Sequence, residues 1–193
     1  MAIVKGNLTP LNPNEAKNAH VYVYNYIFFS YAVDLMDNFA DLTSTDNNPS
    51  WTQANHDMTG LKSLQFLEID NLHYLATAIV NYRGQRILAQ SIIPGILNNS
   101  ELASLAEYGT VDEQKTIQSN EEFHEMMKQV CEKMNIQVNK LIDGNGKEVE
   151  IAGCVEIKGI RGTDKRAYVV DLQGMTPRDV NFLGEENHTC LVR

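Results

Sequence analysis

"VEIKGIRGTDKRAYVVDLQGMTPRDVNFL" (Val155–Leu183) sets two short apolar runs, VEIKGI and RAYVVDL, around Arg161-Gly162-Thr163-Asp164-Lys165. Glycines and cations this dense suggest a phosphate cradle. The glycine spacing fits no dinucleotide fingerprint, however, and no helix follows to offer the positive end of a dipole. The stretch reads instead as strand–turn–strand. Gly162 is expected to take the awkward backbone angle, leaving Arg161, Asp164, Lys165 and Arg166 solvated. Period-two geometry then puts Tyr168 and Val170 on the side opposite Val169. Asp171 falls where the strand leaves the core, and local hydrogen bonds are expected to hold it there.

A second hairpin precedes this one. QVNKLI and KEVEIA surround Asp143-Gly144-Asn145-Gly146, a strong turn sequence. A third is read where LHYLATAIV and QRILAQSII flank Asn81-Tyr82-Arg83-Gly84, with Gly84 supplying a positive φ. One or two short strands are expected over Ala106–Gln118. Between the hairpins lies the strongest helix signal, Ser119–Met134. Ser119 and Glu122 form an S-x-x-E capping box, and Phe123, Met126, Met127, Val130, Cys131 and Met134 recur at helical spacing as one buried stripe. A further helix is predicted from Asn14, a capping residue, to about Met36, because the run is long and lacks turn signals. Asp41–Gly60 is polar and turn-rich and reads as a loop. The fold class is therefore α+β: an antiparallel, hairpin-rich sheet with one N-terminal helix and one central amphipathic helix. Residues 1–13 form an irregular lead-in, 14–183 the domain and 184–193 a tail.

The chain has 193 residues, 43% of them hydrophobic, enough for a sizeable core. Its net charge of -9 disfavours nucleic-acid binding by the bulk surface, since phosphate affinity comes from concentrated Lys and Arg. Cys131, Cys154 and Cys190 are odd in number and unpaired by spacing, which points to reduced thiols and a cytoplasmic location. Met1–Pro10 has no apolar signal region. The most apolar run, His20–Val33, is shorter than the roughly 20 residues a membrane span needs, so no membrane insertion is expected.

Catalytic motifs are sparse. His124-Glu125 opens like a zinc-protease helix, but Lys128 stands where the second His belongs. His188-Thr189-Cys190 has no second ligand pair. Neither GxxxxGK[ST] nor GxSxG occurs. No metal or cofactor is expected. One constellation keeps an enzymatic alternative open. Glu156, Asp171 and Asp179 could converge as in a magnesium–phosphoryl site, giving a kinase-like or phosphotransferase-derived nucleotide-binding domain that uses Asp171 and Glu156. Against it, no catalytic or glycine-rich loop accompanies them. A third class, RNA binding, would need Arg83, Arg86, Arg161, Lys165, Arg166 and Arg178 on one face.

NPNEAKNAHVYVYNYIFFSYAVD, VNYRGQRILAQSIIPGIL, YGTVD and EIKGIRGTDKRAYVVDLQGMTPRDVNFL, taken in order, resemble the CLU domain of the clustered-mitochondria family, also described as associated with translation initiation factor 3. The resemblance runs from about Asn12 to Leu183. It implies a cytosolic, non-enzymatic interaction module serving mitochondrial distribution. Protein partners are implied too, as are mRNAs for mitochondrial proteins or ribosome-associated complexes. Family members are larger, adding a ubiquitin-like region and a tetratricopeptide array, and those roles are not carried over. The family commonly has an Arg where this chain has Gly174, in Asp171-Leu172-Gln173-Gly174-Met175-Thr176-Pro177. Any interaction made by that Arg is absent here.

Overall fold

The structure, a computed structural model, describes residues 2–3, 5–32, 49–98, 106–111 and 116–176. It is an α+β fold with mostly antiparallel sheets. The chain gathers into two compact units, Met1–His56 with Leu75–Ile93, and Asp57–Tyr74 with Pro94–Arg193.

The first unit is an antiparallel sheet in the order β1-β2-β5-β4, built from β1 (Val21–Tyr24), β2 (Ile27–Tyr31), β4 (Thr77–Tyr82) and β5 (Gln85–Ser91). The helix expected over Asn14–Met36 is not there. A 3-10 turn, Lys17–Ala19, leads into the β1–β2 hairpin, and residues 33–36 lie outside the described set. The competing signal wins: β-branched and aromatic residues pack well on a pleated sheet. Asn25 and Tyr26 take φ of 49° and 61°, making the tight turn that an Asn-Tyr pair does not advertise. Arg83 (51°) and Gly84 (73°) turn β4 into β5 in the same manner. A small core forms from Ile3, Tyr22 and Ile87. The outer edge of β1 is covered by the lead-in: the Leu11 amide donates to the Val21 carbonyl at 2.8 Å, and Asn12 Oδ1 accepts from the Val21 amide at 2.9 Å.

Helix α1 (Pro49–Gln65) occupies much of the stretch expected to be a loop over Asp41–Gly60; residues 41–48 lie outside the described set. The polar composition suggested a loop, but the fixed φ of Pro49 suits the first turn of a helix. From Asp57 onward α1 belongs to the second unit, where Leu61 and Leu64 are buried.

That unit holds a sheet in the order β3-β11-β10-β6-β7: β3 (Leu72–Tyr74), β11 (Ala167–Val170), β10 (Lys158–Arg161), β6 (Ala106–Val111) and β7 (Thr116–Ser119). Only the β3–β11 pairing is parallel. Helix α2 (Glu121–Met134) packs on β6 and β9 and buries all six residues of the predicted stripe. Its cap sits one residue later than expected. Ser119 is committed to the sheet opposite Tyr108, and Asn120 Oδ1 accepts from the amides of Glu122 and Phe123 instead. At the other end Asn135 closes the helix in the left-handed region.

Strands β8 (Val138–Ile142) and β9 (Glu148–Ala152) form a separate ribbon. Asp143 Oδ1 organises its turn, accepting from the amides of Asn145 (2.9 Å) and Lys147 (2.8 Å). These bonds, the Lys147 one foremost, hold the Asp143 carboxyl below its usual range. A folded pKa below the unfolded one contributes stability that is present above about pH 4 and lost as pH falls through the folded value. Urea midpoints measured from roughly pH 6 down to pH 3 should therefore fall more steeply for the wild type than for Asp143→Asn.

The β10–β11 turn spans the opening stretch as a hairpin. The Gly162 amide donates to the Arg166 carbonyl at 3.0 Å, and the Lys165 amide to the Gly162 carbonyl at 2.9 Å. Lys165, with φ 65°, takes the left-handed angle expected of Gly162. Gly162 is needed for space, since a Cβ there would lie 2.5 Å from Asp164 Oδ1.

Candidate functional site

Strand β11 ends at Asp171, whose φ of 59° turns the chain sharply out of the sheet; Asp is among the few L-residues that tolerate this region. Its Oδ2 accepts from Lys158 Nζ at 2.6 Å. Lys158 lies on β10 opposite Val170, so the pair closes the open end of the hairpin. Two residues from the earlier part of the chain approach the same end. Asp57, on α1, accepts from the Leu172 amide at 3.0 Å. Burial pushes its carboxyl up, against that hydrogen bond, and the neighbouring charge of Asp171 adds to the rise. Cys154 Sγ lies 3.8 Å from the Asp171 carbonyl oxygen.

Glu156 also borders Cys154. A Cβ built on Gly174 would lie 2.6 Å from Cys154 Cβ and 3.1 Å from Glu156 Oε2. Position 174 is thus filled by backbone packed against a thiol and a carboxylate. Burial first, then the Glu156 charge, pushes the Cys154 thiol up to about 12. Burial alone puts Cys131 at about 11. Neither thiol is a thiolate at neutral pH, which argues against nucleophilic chemistry at either. Among the described residues, no three His, Cys, Asp or Glu side chains are placed to hold a metal ion. Asp179 lies outside the described residues.

The cations singled out from the sequence fall in different surroundings. Arg161 donates through Nε to Glu107 (3.0 and 3.2 Å) and through Nη2 to Glu122 (2.8 Å), with its guanidinium 5.4 Å from the centre of the Phe123 ring. Glu107 owes its place to a bulge. β6 and β10 slip register between Gly159 and Ile160, which pair with Tyr108 and Ala106 and leave Glu107 as the extra residue. Arg86 bonds to Asn55 within the first unit. Arg83 is exposed, over the Tyr82 ring, and Lys165 and Arg166 are exposed on the hairpin turn. Arg178 lies outside the described residues.

His124, whose zinc-protease pattern is broken by Lys128, takes part in a different constellation. His124 Nδ1 is 2.9 Å from the Tyr108 hydroxyl, and its Nε2 is 3.2 Å from Glu150 Oε1. The hydroxyl in turn accepts from the Ala152 amide at 2.7 Å. Tyr108 is fully buried, and burial pushes its phenol well above the usual range. The chain of bonds joins α2, β6 and β9. An enclosed phenol of this kind fixes packing and cannot be reached by a substrate. The i, i+1 spacing of His124-Glu125 carried no hint of it, because both partners are distant in sequence.

A family profile described as Clustered mitochondria matches residues 1–182. The chain is 34% identical over 189 residues to the Clustered mitochondria protein homolog of Xenopus tropicalis, covering 98% of this chain and 14% of that protein. It is 37% identical over a 213-residue alignment to the homolog of Dictyostelium discoideum, covering 99% and 16%. It is 32% identical over 229 aligned residues to the Clustered mitochondria protein of Arabidopsis thaliana, covering all of this chain and 16% of that one. The chain thus spans about one seventh of the length of these relatives. No solved structure matches.

Proposed function

We propose, from the premise that this chain belongs to the clustered mitochondria family, that it is a non-enzymatic interaction module serving mitochondrial distribution in the cytoplasm, with its working part in residues 14–183. The observation that carries this reading is the Lys158–Asp171 pair at 2.6 Å. The carboxylate that a phosphoryl-transfer site would offer to magnesium is engaged by a lysine of its own hairpin. Among the described residues no helix is long and apolar enough to cross a membrane, in keeping with contacts made from the aqueous side.

Protein partners come first in this reading. Contact with mRNA or ribosome-associated complexes is inferred through the family. Of the cations singled out from the sequence, Arg161 is spanned by two carboxylates, and among the described residues the exposed ones are Arg83, Lys165 and Arg166. With a net charge of -9, the isolated chain should bind RNA weakly at physiological salt.

Calorimetry separates this reading from the nucleotide-binding alternative based on Asp171 and Glu156. Magnesium–ATP should give no heat of binding. Asp171→Asn should cost less than about 1 kcal/mol in a urea melt, because the pair it breaks is partly solvated. A magnesium–ATP site of millimolar affinity or tighter, abolished by Asp171→Asn at an unchanged melting temperature, would overturn the reading. Grafting this chain in place of the matching region of the Dictyostelium relative tests it in cells. Mitochondria should stay dispersed with wild-type and Asp171→Asn grafts alike.

A further inference from the structure

The two edges of the first unit's sheet are treated differently. The outer edge of β1 is sealed by Leu11 and Asn12. That of β4 is open. Arg83-Gly84 is a two-residue turn, so Tyr82, Val80 and Ala78 bond inward to β5, while the amides and carbonyls of Thr77, Ile79 and Asn81 point outward. Two observed bonds fix this phase: the Ser91 amide donates to the Ala76 carbonyl, and the Ala32 amide to the Arg86 carbonyl on the β2 side. Among the described residues, the outward backbone groups of Thr77, Ile79 and Asn81 have no backbone partner.

Protein edges are ordinarily blunted by charge, proline or a bulge. β4 has none of these: Thr77-Ala78-Ile79-Val80-Asn81-Tyr82 is uncharged and pairs with β5 in unbroken register, and Val80 is 47% exposed. The surrounding sequence narrows the occupant. In a chain of net charge -9, no Asp or Glu occurs between Asp70 and Glu101. A second copy of this chain would ordinarily be repelled, and here it meets a stretch free of carboxylates.

We propose that β4 pairs antiparallel with β4 of a second copy about a two-fold axis at Ile79, joining two four-stranded sheets into one. Ala76 to Tyr82 overlap in full in this register. Thr77 lies opposite Asn81 of the second copy, and Ala78 opposite its Val80 as a non-hydrogen-bonded pair. Arg83 falls beyond the overlap, so no like charges are set opposite each other. The edge is short, and the dimer is correspondingly weak and concentration-dependent.

Sedimentation equilibrium across a concentration series tests the pairing with two charge variants. Thr77→Lys/Asn81→Glu puts opposite charges across the axis twice and should tighten dimerisation roughly tenfold. Thr77→Lys/Asn81→Lys puts like charges there twice and should weaken it by a similar factor. Independently, Ala78→Cys mixed with Val80→Cys should give a mixed disulfide located at those two positions, since such pairs hold their Cβ atoms at bridging distance. A wild type that stays monomeric at every concentration would overturn the proposal. Equal effects of the two charge variants, or failure of the mixed disulfide to form, would do so too.

Discussion

Val130→Asp should unfold the second unit, lowering its stability by about 4 kcal/mol or more in a urea melt followed by circular dichroism. Val130 has no exposed surface and lies in the α2 stripe with Phe123, Met126, Met127, Cys131 and Met134. The stripe shares one buried hydrophobic cluster with Tyr108, Ile151, Ala152 and Ile157, and the Tyr108 hydroxyl there is already committed to Ala152 and His124. A carboxylate placed there finds neither water nor a free donor, and it must either take up a proton or break the packing. Domains of this size are stable by only about 5–15 kcal/mol, so the loss is a large share of the total. An unchanged melting curve would mean that the stripe faces solvent or a partner groove instead of this core.

Gly109→Ala should be nearly as damaging, about 3 kcal/mol or more, although it adds a single methyl group. Gly109 lies on β6 opposite Lys158 with φ 91°, an angle that L-residues rarely adopt, and its missing Cβ would run into the Ile157 carbonyl oxygen. Gly146→Ala is the matched control. Its φ is 82°, but nothing lies within reach of a Cβ there. Backbone strain alone should cost it about 1 kcal/mol. If the two variants melt together, the close approach of β6 to the residue before β10 contributes little.

Those two sites differ in how far the sequence announces them. The α2 stripe is legible because six apolar residues recur at helical spacing. The β8–β9 and β10–β11 hairpins are legible because glycine and aspartate mark their turns. The β1–β2 hairpin was hidden because its turn is Asn25-Tyr26, with an aromatic residue at an angle where glycine is the usual marker. Helix α1 was hidden behind Pro49 and a polar first half. At the candidate site, Asp171 stood out as the end of a strand, while Lys158 becomes its partner only once the hairpin register is known. Glu107 reaches Arg161 through a register slip that no local pattern encodes. What Gly109 requires is set by a carbonyl 48 positions further along the chain.

The chain visits its two units alternately: residues 1–56, then 57–74, then 75–93, then 94 onward. Cutting after His56 strips β4 and β5 from the first unit. Cutting after Ile93 strips β3 and the part of α1 from Asp57 onward from the second. No single crossover in a gene can therefore transmit one unit whole without stranding part of the other. A crossover after Ile93 would hand on the first unit with residues 57–74 of the second still attached, and a descendant could lose either unit cleanly only through two coordinated deletions. The interleaving ties the inheritance of the two units together.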